Sequence, residues 1–450
     1  MLQSHIFKAY DVRGVYGSDW DAAGAALVAR AFIDEFSIKT LVLGWDMRVS
    51  SPEIVAAIEV AAIEAGVRLI KVGQVTTPVL YFGAAGYPGV DGGIMVTASH
   101  NTGEWNGMKL LLGSGMPIGQ ASGLEAIKAR ALAGEFAASG TPGTVESRDV
   151  LNDCLDKIFS MATLDESKPL SVVIDCGNGM EGATIHQMLA RLPEVSAHVM
   201  YDTPDGMFPN HEANPLKEET LDALKREVVE RGAAVGLAFD GDGDRVGFVD
   251  ERGKMVSGDV LTGLVARELL KTHPGATILY DLRSRRSVAR AVEAGGGHSQ
   301  MSRVGHAFIK KQMREVDALF AGELSCHFYF RDFFSVECAD AMMLFVLKLL
   351  QTSGKSLSVL AEDFLSDAHS GELNFEVHDR SGALARLESE YGARAALVSK
   401  LDGLLFDMGE WWFNVRASNT EPLLRLNLEA RDVQTMQEKL QEVQTIITKL

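Results

Sequence analysis

Apolar residues recur along this chain in short unbroken runs, separated by longer stretches in which they return every three or four positions. The first pattern is that of strands buried on both faces, the second that of amphipathic helices. From Thr40 the run TLVLGWD predicts a strand and SSPEIVAAIEVAAIEAG a helix, with Ser51 as N-cap, Pro52 at the first helical position and Gly66 as terminator. VRLIKVG supplies the next strand and GGIMVTASHN a third that breaks into a polar loop, so residues 1–150 read as an α/β unit. The alternation then restarts. LSVVIDCGNGMEGATIHQMLARL, KEETLDALKREVVERG and AAVGLAFDGDGDRVGFVD give strand, Gly-rich turn, helices and a strand pair around an acidic loop over residues 151–252. GDVLTGLVARELLKTH, ATILYDL, SRRSVARAVEAG and HAFIKKQMREV lead to the loop AGELSCHFYF in a third unit over 253–368. Residues 369–450 differ. A helix at ALARLESEYGA, strands EWWFNVRAS and LLRLNLEA around a polar loop, and the closing amphipathic helix VQTMQEKLQEVQTIITKL predict a small α+β domain.

The 450 residues are 46% hydrophobic, which is enough for several cores, and a length prior of roughly 100–200 residues per domain agrees with this division. Asp and Glu outnumber Lys and Arg 61 to 43, a formal charge of −18. That argues against a nucleic-acid partner or an anionic membrane surface, so an anionic ligand needs a local positive site. Cys154, Cys176, Cys326 and Cys338 lie far apart without a CxxC pair, as expected in a reducing compartment with neither a disulfide framework nor a zinc ribbon. No apolar run approaches the ~20 residues a membrane helix needs, and a cytoplasmic protein is expected.

Polar motifs follow an apolar strand in each successive unit: TASHN, then FDGDGDR, then GELSCH. Ligands of open α/β sheets bind beyond the carboxyl ends of strands, so these loops and RASNTE are expected to line one central cleft shared by the domains. In Thr97-Ala98-Ser99-His100-Asn101, followed by NGMK ending at Lys109, a serine at a strand end is an exposed nucleophile candidate with a nearby cation to offset phosphate charge. Asp240, Asp242 and Asp244 alternate with glycines that let the backbone fold round a centre, which suits a hard cation such as Mg²⁺. Glu251 stands at position twelve of an EF-hand count, but Arg245 replaces the glycine at position six and both flanks read as strands, against that motif. Glu323, Ser325 and His327 place an acceptor, a hydroxyl and an imidazole at alternate positions, suited to reading sugar hydroxyls. Arg416, Ser418, Asn419 and Thr420, with Arg425 beyond, suit a phosphate cradle. A nucleophile, a metal site, a phosphate cradle and a polyhydroxyl reader together point to phosphoryl transfer.

FKAYDVRG, TASHN with NGMK, FDGDGDR, GELSCH and RASNTEPLLRL, in this order, closely resemble the α-D-phosphohexomutase superfamily across essentially the whole chain. The sugar loop resembles the GEMSGH or GEMSAH form of its phosphomannomutase and phosphomannomutase/phosphoglucomutase branches. The resemblance implies three consecutive mixed α/β domains and a C-terminal α+β lid around the cleft. It further implies interconversion of mannose 1-phosphate and mannose 6-phosphate through a phosphoserine and a hexose 1,6-bisphosphate, which also serves as activator. Ser99 would be the phosphoserine, and one Mg²⁺ would sit among Asp240, Asp242, Asp244 and Ser99, with Arg245 steadying the phosphate. Arg13, Lys109 and His306 are the implied acid/base candidates, and His306 and Lys109 are favoured. Glu323 and Ser325 would read the 3- and 4-hydroxyls, and His327, Tyr10 and Arg283 would complete the sugar side. Arg416, Ser418, Asn419, Thr420 and Arg425 would hold the phosphate that is not reacting. The expected partner is a phosphorylated hexose, bound by a monomer or dimer.

Four positions depart from the family's usual pattern: Thr102 where Pro is usual, Arg283 where Lys is common, and Leu324 and Cys326 within the sugar loop. Thr102 would loosen the serine loop, and Cys326 would bring an oxidisable thiol near the cleft. Three other readings stand beside this one. A glucose-accepting enzyme would convert both hexose phosphates, and a DxD-type phosphatase would use Asp240 as nucleophile. A silent sugar-phosphate-binding protein would carry no phosphate on Ser99.

Overall fold

The strands of the computed structural model gather into four sheets that follow one another along the chain, within the residues it describes: 1–136, 140–417 and 423–448. The first has the spatial order Val12–Val15, Trp105–Leu112, Gly92–Val96, Thr40–Trp45, Arg68–Gln74, Thr144–Ser147. Its last four strands are parallel, and Trp105–Leu112 runs antiparallel to both its neighbours. The period of two in a strand sorts its side chains. Leu41, Leu43, Ile94 and Val96 meet the helices Ala22–Phe36, Ser51–Glu64 and Leu124–Ala133 in one core, while Val42 and Met95 meet Thr77–Ala85 and Leu151–Met161 in another.

That second core does not stop at the first sheet. It runs on through Val172, Ile174, Leu237 and Phe239 of the second sheet and Ile278, Phe320 and Phe328 of the third. At its centre lies the helix Ala339–Ser353, 12 of whose 15 residues are buried. A helix hydrophobic on all sides belongs in the middle of a structure, and this one ties the three α/β units together. The second sheet is ordered Met255–Val256, Val246–Asp250, Val235–Phe239, Leu170–Asp175, Val195–Met200, and the third His298–Ser302, Thr277–Asp281, Phe320–Gly322, Phe328–Phe330, Val336–Glu337. Each mixes parallel and antiparallel pairs.

The C-terminal sheet is antiparallel throughout, and the helices Arg380–Tyr391 and Val433–Thr448 share its separate core. The apolar link to the third unit is small: Leu282 against Leu405 and Trp412. Polar contacts do the rest, chiefly Arg286, which donates to Asp407 and to the Gly409 carbonyl, both at 2.6 Å. The architecture is the expected one of three mixed α/β units and a C-terminal α+β unit. Among the described residues no helix is long and apolar enough to cross a membrane.

One local expectation is corrected. The helix at TLVLGWDMRVSS starts at Ser51 with Ser50 as N-cap, and the Ser51 hydroxyl donates to Asp46 at 2.7 Å. A buried carboxylate next to the helix start outcompetes the backbone amides that a capping hydroxyl would serve. Gly66 does end that helix, at φ 76°.

Candidate active site

Three of the motif loops leave the carboxyl ends of their strands, where ligands of open α/β sheets bind. Thr97–Asn101 follows Gly92–Val96, Asp240–Arg245 follows Val235–Phe239, Glu323–His327 follows Phe320–Gly322, and Arg416 is the last residue but one of the strand Trp411–Ala417. Ser99 adopts φ 52°, a left-handed conformation unusual for a side chain of this size. Its amide donates to Thr97 Oγ1 at 2.9 Å, and its Oγ donates to Asp240 Oδ2 at 2.9 Å. Strained backbone persists where surroundings over-determine it, and here the determinant is Arg48. Its guanidinium is wholly buried and donates to the carbonyls of Ser99, Asn101, Thr102 and Trp105 at 2.6–3.0 Å, while Asp46 neutralises it at 3.0 Å. Arg48→Met leaves Asp46 buried without its counter-charge and is expected to destabilise the protein by about 3–5 kcal/mol, read by urea unfolding. Arg48→Lys should not restore it, because a point ammonium cannot span the same carbonyls.

The acidic loop meets the serine loop directly. A Cβ at Gly241 would stand 2.4 Å from the Ser99 carbonyl oxygen, so only glycine permits this approach. Asp240, Asp242 and Asp244 are buried and offer oxygens within 4.8 Å of one another. Thr77 donates to Asp242 at 2.6 Å through Oγ1. Lys109 donates to Asp242 at 2.6 Å and to Asp244. Burial opposes the Lys109 charge, but the three carboxylates outweigh it and keep the ammonium protonated well above its ordinary range. Burial, with the charges of Asp244 and Asp242, pushes the Asp240 carboxyl up to about 8. Burial also acts against Asp244, yet Lys109 and His327 hold it well below the carboxylate range. Among the described residues Asp242 Oδ1 and Asp244 Oδ1 are buried without a hydrogen-bond donor. Unsatisfied, closely spaced carboxylate oxygens are the donor set a hard divalent cation requires, so the residues fit Mg²⁺.

The loop Glu323–His327 closes on the same centre. Arg245 pairs with His327 in an isolated β-bridge, its Nε donates to His327 Nε2 at 3.1 Å, and it lies 3.7 Å from Asp240. His327 is pulled both ways. Burial and Arg245 oppose its charge, Asp244 and Glu323 favour it, and the outcome is a pKa near 9. A protonated Nε2 cannot accept from Arg245, so the 3.1 Å contact belongs to the neutral ring, and the imidazolium turns that proton to Asp244, 3.6 Å away. Glu323 accepts from the Gly305 amide at 3.0 Å and from Tyr329 Oη at 2.6 Å. Burial raises its pKa, but His327 and Arg283 bring it down to about 2. Ser325 Oγ lies 3.1 Å from His327 Nδ1.

Two expectations from the departures fail. Cys326 is completely buried and burial pushes its thiol up to about 12, so no oxidisable thiolate faces the cleft. Thr102 is tied down rather than loose: its carbonyl accepts from Arg48 and its hydroxyl donates to Glu104 at 2.7 Å.

Arg13 donates to Asn101 at 2.9 Å and to Asp11, which places it beside the serine loop. Tyr10 Oη donates to the Val304 carbonyl at 3.2 Å, and its ring stands edge-on to His306, 5.4 Å between centroids. His306 begins the helix His306–Glu315, and burial, then the charges of Lys310 and Lys109, keep its imidazole neutral. Arg283 is buried against Asp281 at 2.7 Å and lies 3.5 Å from Glu372. Glu372 also pairs with Arg416 at 3.0 Å and Arg425 at 3.4 Å, joining Arg283 of the third unit to the C-terminal unit. Ser418, Asn419 and Thr420 lie outside the described residues. Arg48, Thr77 and Glu372 escaped sequence reasoning. Arg48 and Asp46 had a signal, since they follow an apolar strand just as the other motif loops do, whereas an isolated Glu372 has none.

Four family models match in succession: phosphoglucomutase/phosphomannomutase α/β/α domain I over residues 4–138, domain II over 151–253, domain III over 257–367 and the C-terminal domain over 372–445. The chain is 39% identical over 448 residues to a phosphomannomutase of Salmonella montevideo, covering 97% of each. It is 37% identical to a phosphomannomutase of Escherichia coli strain K12, covering 99% of this chain and 100% of that one. Among solved structures it resembles a phosphoglucomutase/phosphomannomutase family protein of Burkholderia thailandensis, with TM-score 0.91 and 31% identity over 100% of this chain and 99% of that one.

Proposed function

The chain belongs to the phosphoglucomutase/phosphomannomutase family, and from that premise we propose that it is a phosphomannomutase, interconverting mannose 1-phosphate and mannose 6-phosphate through phosphorylated Ser99 and a bound hexose 1,6-bisphosphate. The observation that carries this reading is the position of Ser99 Oγ, 2.9 Å from Asp240 in the carboxylate cluster, with that cluster joined through Arg245 and Asp244 to the sugar loop. Ser99, the Asp240–Asp244 cluster and the loop Glu323–His327 therefore converge, although together they span more than two hundred residues of sequence.

In the forward half-reaction a sugar hydroxyl oxygen forms a bond to the phosphorus on Ser99 while the Ser99 Oγ–P bond breaks, and the hydroxyl proton passes to a base. Of the three candidates, Lys109 is held as an ammonium by Asp242 and Asp244 and Arg13 is a permanent cation, so both act through charge. His306, buried and neutral, is the group with a free lone pair. Mg²⁺ held by Asp240, Asp242, Asp244 and the Ser99 phosphate would supply electrophilic stabilisation of the transferring group. Glu323, kept ionised, accepts from sugar hydroxyls, and Arg416 and Arg425 bind the other phosphate. The C-terminal unit has its own core and only a small apolar link to the rest, so it can move as a lid when Arg286 releases.

A phosphorus NMR time course with α-D-mannose 1-phosphate, Mg²⁺ and a trace of glucose 1,6-bisphosphate tests the assignment. Mannose 6-phosphate is the expected product, and a parallel run with glucose 1-phosphate reads whether both hexoses are accepted. Accumulation of inorganic phosphate would replace the mutase with a phosphatase.

A further inference from the structure

Next to His306 lies a buried charge network that the mechanism above does not use. Glu337, on the strand Val336–Glu337, is 1% exposed, and its Oε1 lies 3.7 Å from His306 Nδ1. Its Oε2 pairs with Lys310 Nζ at 2.5 Å. Lys310, wholly buried, donates in turn to Tyr81 Oη at 3.1 Å and sits 4.2 Å from the centre of the Tyr81 ring. Tyr81 belongs to the helix Thr77–Ala85, one turn after Thr77, the residue that holds Asp242. His306 and Lys310 are likewise one turn apart on their own helix.

We propose that Glu337, held in place by Lys310 and Tyr81, is a positioning residue for His306: it accepts a hydrogen bond from Nδ1–H, which keeps the proton on that nitrogen and leaves the Nε2 lone pair for the reacting hydroxyl. The inference rests on the reading of His306 as the acid/base. A neutral imidazole carries a single proton, and the acceptor beside one nitrogen decides which nitrogen keeps it. His306 Nδ1 has no hydrogen-bond partner among the described residues, and the carboxylate it faces is paired with Lys310. At 3.7 Å the contact is longer than a hydrogen bond, as catalytic contacts often are before substrate closes the site. Lys310 explains why a buried carboxylate can stand here: it balances the charge, and Tyr81 fixes the ammonium so that one carboxylate oxygen stays turned to His306.

Glu337→Gln keeps the shape but presents an amide N–H₂ to Nδ1 and so selects the opposite tautomer. The expected result is a fall in kcat of about 10²-fold, KM for mannose 1-phosphate unchanged, partial recovery in Glu337→Asp, and a tautomer switch visible in the ¹⁵N spectrum of histidine-labelled protein. Because Glu337→Gln strands the Lys310 charge, the double variant Glu337→Leu, Lys310→Met, which removes both charges and leaves Nδ1 without an acceptor, is made beside it, and urea unfolding confirms that each variant is folded. The double variant should lose kcat as Glu337→Gln does. Adding Glu337→Gln to His306→Ala should cost nothing further, since Glu337 acts only through the His306 ring. Loss of activity in His306→Ala with wild-type kcat in the folded Glu337 variants would overturn the proposal and leave His306 as the acid/base. Full activity in His306→Ala would overturn the acid/base reading itself, and the positioning role with it.

Discussion

Ser99→Ala should lower mutase turnover by on the order of 10⁴-fold or more, the scale on which loss of a covalent nucleophile is felt, while the fold survives. The step that disappears is the transfer of a phosphoryl group to and from Oγ, and neighbouring hydroxyls are not placed to replace it: Thr97 is occupied by the Ser99 amide and Thr77 by Asp242. What the variant loses structurally is a hydrogen bond to Asp240, worth about 1 kcal/mol. The loop is held by Arg48 through backbone carbonyls and does not depend on that hydroxyl. Intact-mass measurement should find a phosphoryl group on the wild type after incubation with glucose 1,6-bisphosphate and none on the variant. A phosphatase using Asp240 would keep its activity in Ser99→Ala, so the same assay separates the two chemistries.

Asp240→Asn should abolish activity, by at least about 10³-fold given the several kcal/mol a metal contributes to transition-state charge, and yet leave the metal-free protein as stable as the wild type or more so. Asp240 is pushed from 3.8 in the open chain to about 8 by burial and by Asp244 and Asp242. A carboxyl raised in the folded state stabilises folding fully below its unfolded value and loses that contribution as pH rises through the folded one. Metal-free wild type should therefore become less stable between pH 4 and pH 8, and Asp240→Asn, which stays neutral, should flatten that slope in urea unfolding at matched pH. Mg²⁺ reverses the balance by replacing the proton. Its binding to the wild type should release close to one proton at pH 7, measurable by calorimetry in buffers of different ionisation enthalpy, and should tighten as pH rises toward 8. Chelation with EDTA should remove activity and lower Tm, and Asp240→Asn should show little response to either. Equal destabilisation of the variant at every pH would contradict the assignment of Asp240 as the strained member of the cluster.

Much of the molecule was legible in the chain itself, because the relevant signals are local. Alternation of apolar runs and amphipathic stretches reports which side of a strand or helix is buried, and it divided the chain into three α/β units and an α+β unit that the four sheets match. Carboxylates spaced by glycines announce a cation site because both the donor chemistry and the backbone freedom lie within a few residues. Ser51 shows where such reasoning slips, since its capping role was lost to a buried carboxylate, Asp46, whose burial only packing establishes.

What the sequence by itself determined, then, is the set of elements, the chemical type of each loop and the class of reaction those loops serve. Tertiary structure alone decided which charges meet. Arg48 gathers carbonyls more than fifty residues away, Glu372 collects arginines from two units, and Glu337 and Lys310 become a pair behind His306. It also decided which groups hold a proton: neutral His306, cationic Lys109 and protonated Asp240 follow from burial and neighbours, not from residue type. The physical reason is that hydrophobic periodicity is written in neighbouring positions, whereas desolvation and Coulomb energy depend on distances between atoms that the chain brings together only after it has folded.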